Sequence, residues 1–247
     1  MSMLWRRAGL AAAAVLVTIG SARAQTNLVT NGDFELSTHG SGQIGYNTTV
    51  TGWATNGYNF LFASGTADHA GTTGQYGNLQ LWGPGNGSAN GLPASSPSGG
   101  NFIAADGAYD QGAITQSISG LTVGQTYALT FEWAGAQQSG FTGPTTEQWE
   151  VKLGGDTRYT PVLDDVSHGF TGWITQTFTF TATAATELLS FLAIGTPSGV
   201  PPFSLLDGVS LHATAIPEPS SSLILAAGCA AMAGMRRLRS RSRRAAR

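Results

Sequence analysis

Between residues 101 and 211 the chain repeatedly alternates apolar and polar positions with a period of two, the signature of half-buried strands. The clearest case is 126–134, where Tyr127, Leu129, Phe131 and Trp133 share one face and Ala128, Thr130 and Glu132 the other. Strands are also predicted at 113–118, at 148–153 with Trp149, Val151 and Leu153 together, and at 172–183 with Phe178 and Phe180 inward. The run 187–194 is almost wholly apolar, which predicts a strand covered on both faces. At 203–211 the period places Leu205, Asp207, Val209 and Leu211 on one face. Earlier, shorter strands are predicted at 28–35, 48–53, 78–82 and 101–105, and 59–63 is an apolar run. In the third of these strands, Leu79 and Leu81 point one way and Gln80 and Trp82 the other. No stretch of residues 25–215 keeps a helical period for three turns. Many short strands separated by Gly, Asn, Asp and Pro turns predict an all-β sandwich. The Gly/Pro/Ser/Asn-rich stretch 83–100 reads as one long loop, a length at which loops are usually functional or disordered.

The two ends follow a different pattern. Arg6 and Arg7 precede an apolar run at 10–20, and Ala22-Arg23-Ala24 fits a small-x-small cleavage site, so residues 1–24 read as a secretory signal peptide. At the other end, Pro217-Glu218-Pro219 is followed by an apolar run at 223–235 and a basic end containing Arg236, Arg237 and Arg239. Apolar then basic is the order of a membrane anchor helix whose end stays in the cytoplasm. The run is shorter than the ~20 residues of a full span. This tail resembles the PEP-CTERM sorting signal of Gram-negative bacteria. That resemblance implies export by the Sec machinery, recognition by an exosortase at the inner membrane, and delivery to the cell surface or extracellular matrix, in company with exopolysaccharide.

Removing both ends leaves one domain, 25–215, and changes the charge picture. This span holds thirteen Asp and Glu residues against Lys152 and Arg158, a net charge of −11, whereas the whole chain carries −2. So acidic a body has no electrostatic footprint for nucleic acid or for anionic lipid, and it suits cations. The one cysteine, Cys229, lies in the tail, so the body has no disulfide.

Asn31-Gly32-Asp33-Phe34-Glu35, Gly120-Leu121-Thr122-Val123-Gly124-Gln125-Thr126-Tyr127 and Asp207-Gly208-Val209-Ser210-Leu211 occur in that order. They resemble the opening strand, a turn into a central strand, and the closing strand of galactose-binding-like jelly rolls, a group that includes many carbohydrate-binding modules. The Gly-rich middle, 64–100, departs from those modules. The resemblance implies that first and last strands lie side by side and that carboxylates there hold a structural calcium, with Asp33, Glu35 and Asp207 as its ligands. The bland alternative is that Asp207 accepts backbone amides in a turn. No EF-hand loop occurs.

Sugars stack on exposed aromatic rings, and Trp82, pointing away from Leu79 and Leu81 beside the long loop, is the leading glycan-binding candidate. Asn86 and Asn90 stand next to it in sequence, and Tyr58, Tyr76 and Tyr109 are further candidates. For Trp53, Trp133, Trp149 and Trp173 the simpler alternative is core packing, and for Trp133 that is the reading taken. The histidines are isolated, and no His-Glu-x-x-His, Gly-x-Ser-x-Gly or P-loop pattern occurs, so no catalytic residue is assigned. The expected function is a non-catalytic glycan-binding module, the alternatives being a structural matrix or adhesion protein and, third, a glycan-active enzyme built on two acids.

Overall fold

The computed structural model describes residues 25–214. The segment 1–24, Pro217, Glu218, Pro219, Arg236, Arg237 and Arg239 lie outside the described residues, as does the expected anchor helix. Among the described residues no helix is long and apolar enough to cross a membrane.

The fold is all-β. Its strands are β1 (Gly42–Gln43), β2 (Asn59–Phe62), β3 (Thr72–Gly74), β4 (Gly77–Leu79), β5 (Phe102–Asp106), β6 (Ile114–Ser119), β7 (Thr126–Gln137), β8 (Thr145–Leu153), β9 (Asp156–Tyr159), β10 (Leu163–Asp165), β11 (Ile174–Thr181), β12 (Thr186–Thr196) and β13 (Pro202–Ala213). One sheet has the order β1-β2-β5-β13-β7-β11, the other β10-β8-β12-β6 with β9 also on β8, and β3-β4 form a separate hairpin. All pairings between these strands are antiparallel. From β5 onward the chain switches sheets at β6, β7, β8, β11, β12 and β13, and this crossing back and forth makes the sandwich a jelly roll.

The sandwich interior is filled by the alternating inward residues expected of these strands. Phe131 on β7 and Trp149 on β8 both meet Phe191 on β12 edge-on, with ring centroids 5.1 and 5.9 Å apart. The Trp149 indole N–H donates across the sandwich to the Leu205 carbonyl at 3.1 Å.

A second core lies on the outer side of the β1-containing sheet. Phe60, Phe62, Phe102, Ala104, Ala134, Ala136, Phe203 and Leu205 face outward from it and are buried under Ala67, Leu79, Leu81 and Leu92. The β3-β4 hairpin and the long loop 83–100 therefore cover this sheet.

Four expectations need correction. The opening segment 28–35 is not a ladder strand. Asn31 and Phe34 adopt left-handed backbone angles of 51° and 55°, which break the extended geometry. Its bonds are made singly instead: Leu28 N–H to the Leu211 carbonyl, Val209 N–H to the Gly32 carbonyl, and Thr30 to the Gln116 side chain. The segment still runs beside β13, so the two ends of the domain adjoin as expected. Residues 48–53 make only isolated bridges, at Thr48 and Val50. In β12, Leu188 is 52% exposed while Leu189 and Phe191 are buried, so this strand is covered on one face only.

The fourth correction concerns β13. Its register on β7 shifts between Asp207 and Ser210, and Gly208 takes φ 59° there, a left-handed value at which glycine carries no steric penalty. Because the side-chain period is two, the extra residue swaps faces. Leu205 joins the outer core, while Val209 and Leu211 join the sandwich interior.

Leu205→Ala tests whether the outer layer is a true core. It should cost about 2–5 kcal/mol, comparable to Leu211→Ala in the sandwich interior. Urea unfolding of both variants measures this. A loss under ~1 kcal/mol for Leu205→Ala alone would show a loosely laid cover.

Candidate functional site

At the end of the β1-containing sheet where β2 and β13 begin and β5 and β7 finish, a cavity of about 320 Å³ opens. Strand ends supply its floor: Tyr58 precedes β2, Asp106 closes β5, and Gln138 follows β7. Loops supply its walls. Tyr76 comes from the β3-β4 turn, Tyr109 from the turn after β5, Phe141 from the β7-β8 connection, and Ser198, Gly199 and Pro201 from the β12-β13 connection.

Three tyrosines dominate it. The ring centroids of Tyr58 and Tyr76 are 5.6 Å apart, those of Tyr58 and Tyr109 6.3 Å, and those of Tyr76 and Tyr109 6.1 Å, a closed triangle. Tyr58 is buried, edge-on to Phe60 of the outer core at 4.5 Å. Tyr76 and Tyr109 are 64% and 62% exposed, so the cluster is rooted in the core and presents its other two rings to solvent. Asp106 is buried beside them. Its Oδ1 accepts the backbone N–H of Ala108 at 2.8 Å and of Tyr109 at 3.0 Å, a turn that sets the position of the Tyr109 ring. Burial pushes the Asp106 carboxyl above its ordinary value, opposed by those two amides. Burial, with Asp106 next, pushes the Tyr58 phenol up to about 12, so it remains a neutral hydrogen-bond donor.

The structure thus brings Tyr58, Tyr76 and Tyr109 together and places Trp82 elsewhere. Trp82 does not line the cavity. Its indole N–H donates to the Phe141 carbonyl at 2.9 Å, and its ring stacks on His168 with centroids 4.0 Å apart. It props the wall from behind. Asn86 and Asn90 commit their amides to the backbone. Asn86 donates to the Leu81 carbonyl and accepts from Gly83, while Asn90 donates to the carbonyls of Trp82, His168 and Gly169 and accepts from Leu92. Phe141, Gln138 and the 198–201 turn were not anticipated. The one available signal was Phe141 itself, an aromatic flanked by Gly140 and Gly143 in an otherwise polar turn.

Asp207 begins β13's bulge, with Glu35 and Glu132 near enough to act on its charge. Asp207 is fully buried, accepts the Ser96 hydroxyl through Oδ2 and the Gly208 N–H through Oδ1 at 2.7 Å. Burial pushes it up to about 7, with the charges of Glu132 and Glu35 adding to the rise. Glu132 accepts the Ser98 N–H at 2.8 Å and Glu35 the Asn101 N–H at 2.6 Å. Together the three carboxylates clasp loop residues 96–101. Asp33 is exposed and takes no part in this clasp. Among the described residues, no three His, Cys, Asp or Glu side chains are grouped to hold a metal ion.

Several proteins resemble this chain. Halomucin of Haloquadratum walsbyi is 30% identical over 202 residues, 78% of this chain, and the chain spans about 2% of halomucin's length. Among solved structures, TmCBM61 in complex with beta-1,4-galactotriose aligns over 76% of this chain and 99% of its own, with 14% identity and a TM-score of 0.39. The CBM22-1 xylan-binding domain of Paenibacillus barcinonensis Xyn10C aligns over 79% and 99%, with 13% identity and a TM-score of 0.36. Residues 86–210, just over half of the chain, match the family described as "Protein of unknown function (DUF642)", and the chain belongs to that family.

Proposed function

We propose that this protein is an exported, non-catalytic glycan-binding module whose site is the tyrosine-walled cavity. The observation that carries the reading is the closed Tyr58–Tyr76–Tyr109 triangle beside a buried carboxylate. The apolar face of a pyranose stacks on an exposed ring, while its hydroxyls need polar partners at the rim. Tyr76, Tyr109 and Phe141 offer the rings; Asp106, Gln138 and the tyrosine hydroxyls offer the partners. The volume falls at the small end of ligand sites, which suits one or two sugar units. Asp106 is the one carboxylate among the described residues lining the cavity, whereas glycoside hydrolysis by the usual route requires two. A body of net charge −11 would repel a polyanionic chain, so the ligand is a neutral or amino-sugar polysaccharide.

In this reading residues 1–24 direct export and the Pro217-Glu218-Pro219 tail directs sorting at the inner membrane, delivering the module to an exopolysaccharide matrix. A second reading, a structural matrix or adhesion protein, draws on one feature. Thr175, Thr177, Thr179 and Thr181 of β11 form an exposed, uncharged hydroxyl face, continued by Thr126 and Thr130 of β7. It predicts self-association without glycan retention.

Affinity electrophoresis in neutral polysaccharide gels should show retardation of the wild type. Tyr76→Ala and Tyr109→Ala should each weaken it by about three- to tenfold, in line with ~0.5–1.5 kcal/mol per aromatic contact. Unretarded wild-type protein that self-associates would favour the second reading instead.

Binding should also fall with acid. Burial holds Asp106 above the ordinary aspartate value of 3.8, so its charged form, the stronger acceptor, is lost at a correspondingly higher pH. Affinity should stay level near neutrality and drop on acidification before pH 3.8 is reached. Asp106→Asn should bind more weakly at neutral pH and show no such drop. Isothermal titration across pH measures both.

A further inference from the structure

Outside the cavity, between the two sheets, lies a group of oxygens with nothing to bind. Thr145, Glu147 and Asp165 occupy the inner face where β8 pairs with β10. The register sets Asp165 opposite Thr145 and Leu163 opposite Glu147, so the two acids are diagonal neighbours on one face. All three are buried, Glu147 completely. Neither Glu147 oxygen has a well-formed hydrogen bond, and the same holds for Asp165 Oδ2 and Thr145 Oγ1; the Thr145 hydroxyl lies close enough to Glu147 only to temper the rise of its carboxyl. Two glycines leave room for the carboxylates. A Cβ at Gly135 on β7 would fall 2.5 Å from Glu147 Oε2, and one at Gly169 would fall 1.8 Å from Asp165 Oδ1.

No protein cation serves this pair. The described residues contain one lysine and one arginine: Lys152 pairs with Glu150, and Arg158 with Asp156. The adjacent acid, Asp164, adds to the negative field, and burial pushes Glu147 up to about 8 and Asp165 to about 7. Buried carboxylates must be paired, protonated or metal-bound, because an isolated buried charge is very costly. Four unpartnered oxygens converging from adjacent strands suit an ion that draws its whole shell from oxygen.

We propose that Glu147, Asp165 and Thr145 form an interior site for a hard, oxygen-seeking cation, Ca²⁺ by preference. Calcium accepts mono- or bidentate carboxylates in irregular geometry, which two strand-borne acids and a hydroxyl can offer, whereas Mg²⁺ demands a near-ideal octahedron. This site is distinct from the Asp207 clasp, whose carboxylates are already engaged by loop amides and the Ser96 hydroxyl.

The purified full-length chain, treated with EDTA and then titrated with Ca²⁺ or Tb³⁺, tests it. Calcium should raise the thermal midpoint by about 5–10 °C at ~100-fold excess over Kd. Terbium emission should be sensitised by Trp149, two residues from Glu147 on the same inner face of β8. Glu147→Gln and Asp165→Asn, both isosteric, should abolish the midpoint shift and the emission while raising the midpoint of the metal-free protein. Asp207→Asn should retain both signals. The proposal is overturned by a wild type whose midpoint ignores calcium, by a shift that survives in both interior variants, or by signals lost in Asp207→Asn and kept in Glu147→Gln. A wild type stabilised by mild acid and not by any cation would overturn it too, by showing that the two carboxyls hold protons.

Discussion

Burying both faces of β13 is the constraint on which the rest of the molecule depends. This strand is central in its sheet, between β5 and β7, and buried from Pro202 to Asp207. An antiparallel sheet in a two-layer fold needs only one apolar face. Here the second face is apolar as well, so something must cover it. The β3-β4 hairpin and the loop 83–100 do so, and their irregular backbone is tied down by Asn90, Asn86 and the Asp207 clasp. Alternation gives β13 to both cores, with Phe203 and Leu205 outward and Leu206 inward, and the bulge at Asp207–Ser210 then turns Val209 and Leu211 to the inner one.

That covering layer decides where a ligand can sit. With the broad face of the sheet closed, concavity survives at its end, where the strands run out into turns. The tyrosine cavity is the seam between the covering hairpin, through Tyr76, and the strand ends, through Tyr58 and Asp106. Tyr58 belongs to both: its ring packs on Phe60 in the outer core and forms the inner corner of the aromatic triangle. A stiff core under one ring limits the ordering cost when a ligand settles on the other two.

Strands β6, β8, β11, β12 and the first half of β7 were legible because each has one wetter face, and the period of two survives in the residues themselves. Three features were not. Residues 28–35 look extended, yet Asn31 uses its amide to bond Leu36 and Thr51, and that local bonding competes with a ladder. In β12 the apolar Leu188 is simply left in water, and composition cannot distinguish an exposed leucine from a buried one. In β13 a pattern read straight through Gly208 puts Leu205 with Val209, because nothing in the alternation marks the extra residue. The site was half legible for a related reason. Tyr58, Tyr76 and Tyr109 could be named as aromatics in turns, but their meeting depends on the hairpin folding back over the sheet, a contact between distant parts of the chain. Trp82 was chosen for the face it occupies, and the side chain does point away from Leu79 and Leu81; the partner it meets there is His168.

His168 links the turn after β10 to the wall of the cavity. It follows Asp165 by three residues in the turn after β10, and its backbone takes φ 61°. Gln137 accepts its N–H at 2.7 Å, Thr142 bonds its Nε2 at 3.1 Å, and Asn90 donates to its carbonyl. Its ring backs Trp82, and Trp82 in turn holds the Phe141 carbonyl. From His168 to Phe141 each link is a direct contact, and Asp165 joins that path through the backbone of the turn. A cation between Glu147 and Asp165 would fix the start of that turn, while protonated carboxyls would leave it attached less strongly. Because these steps are side-chain contacts to backbone or ring, the wall at Phe141 is set by the fold itself and not by anything the cavity holds.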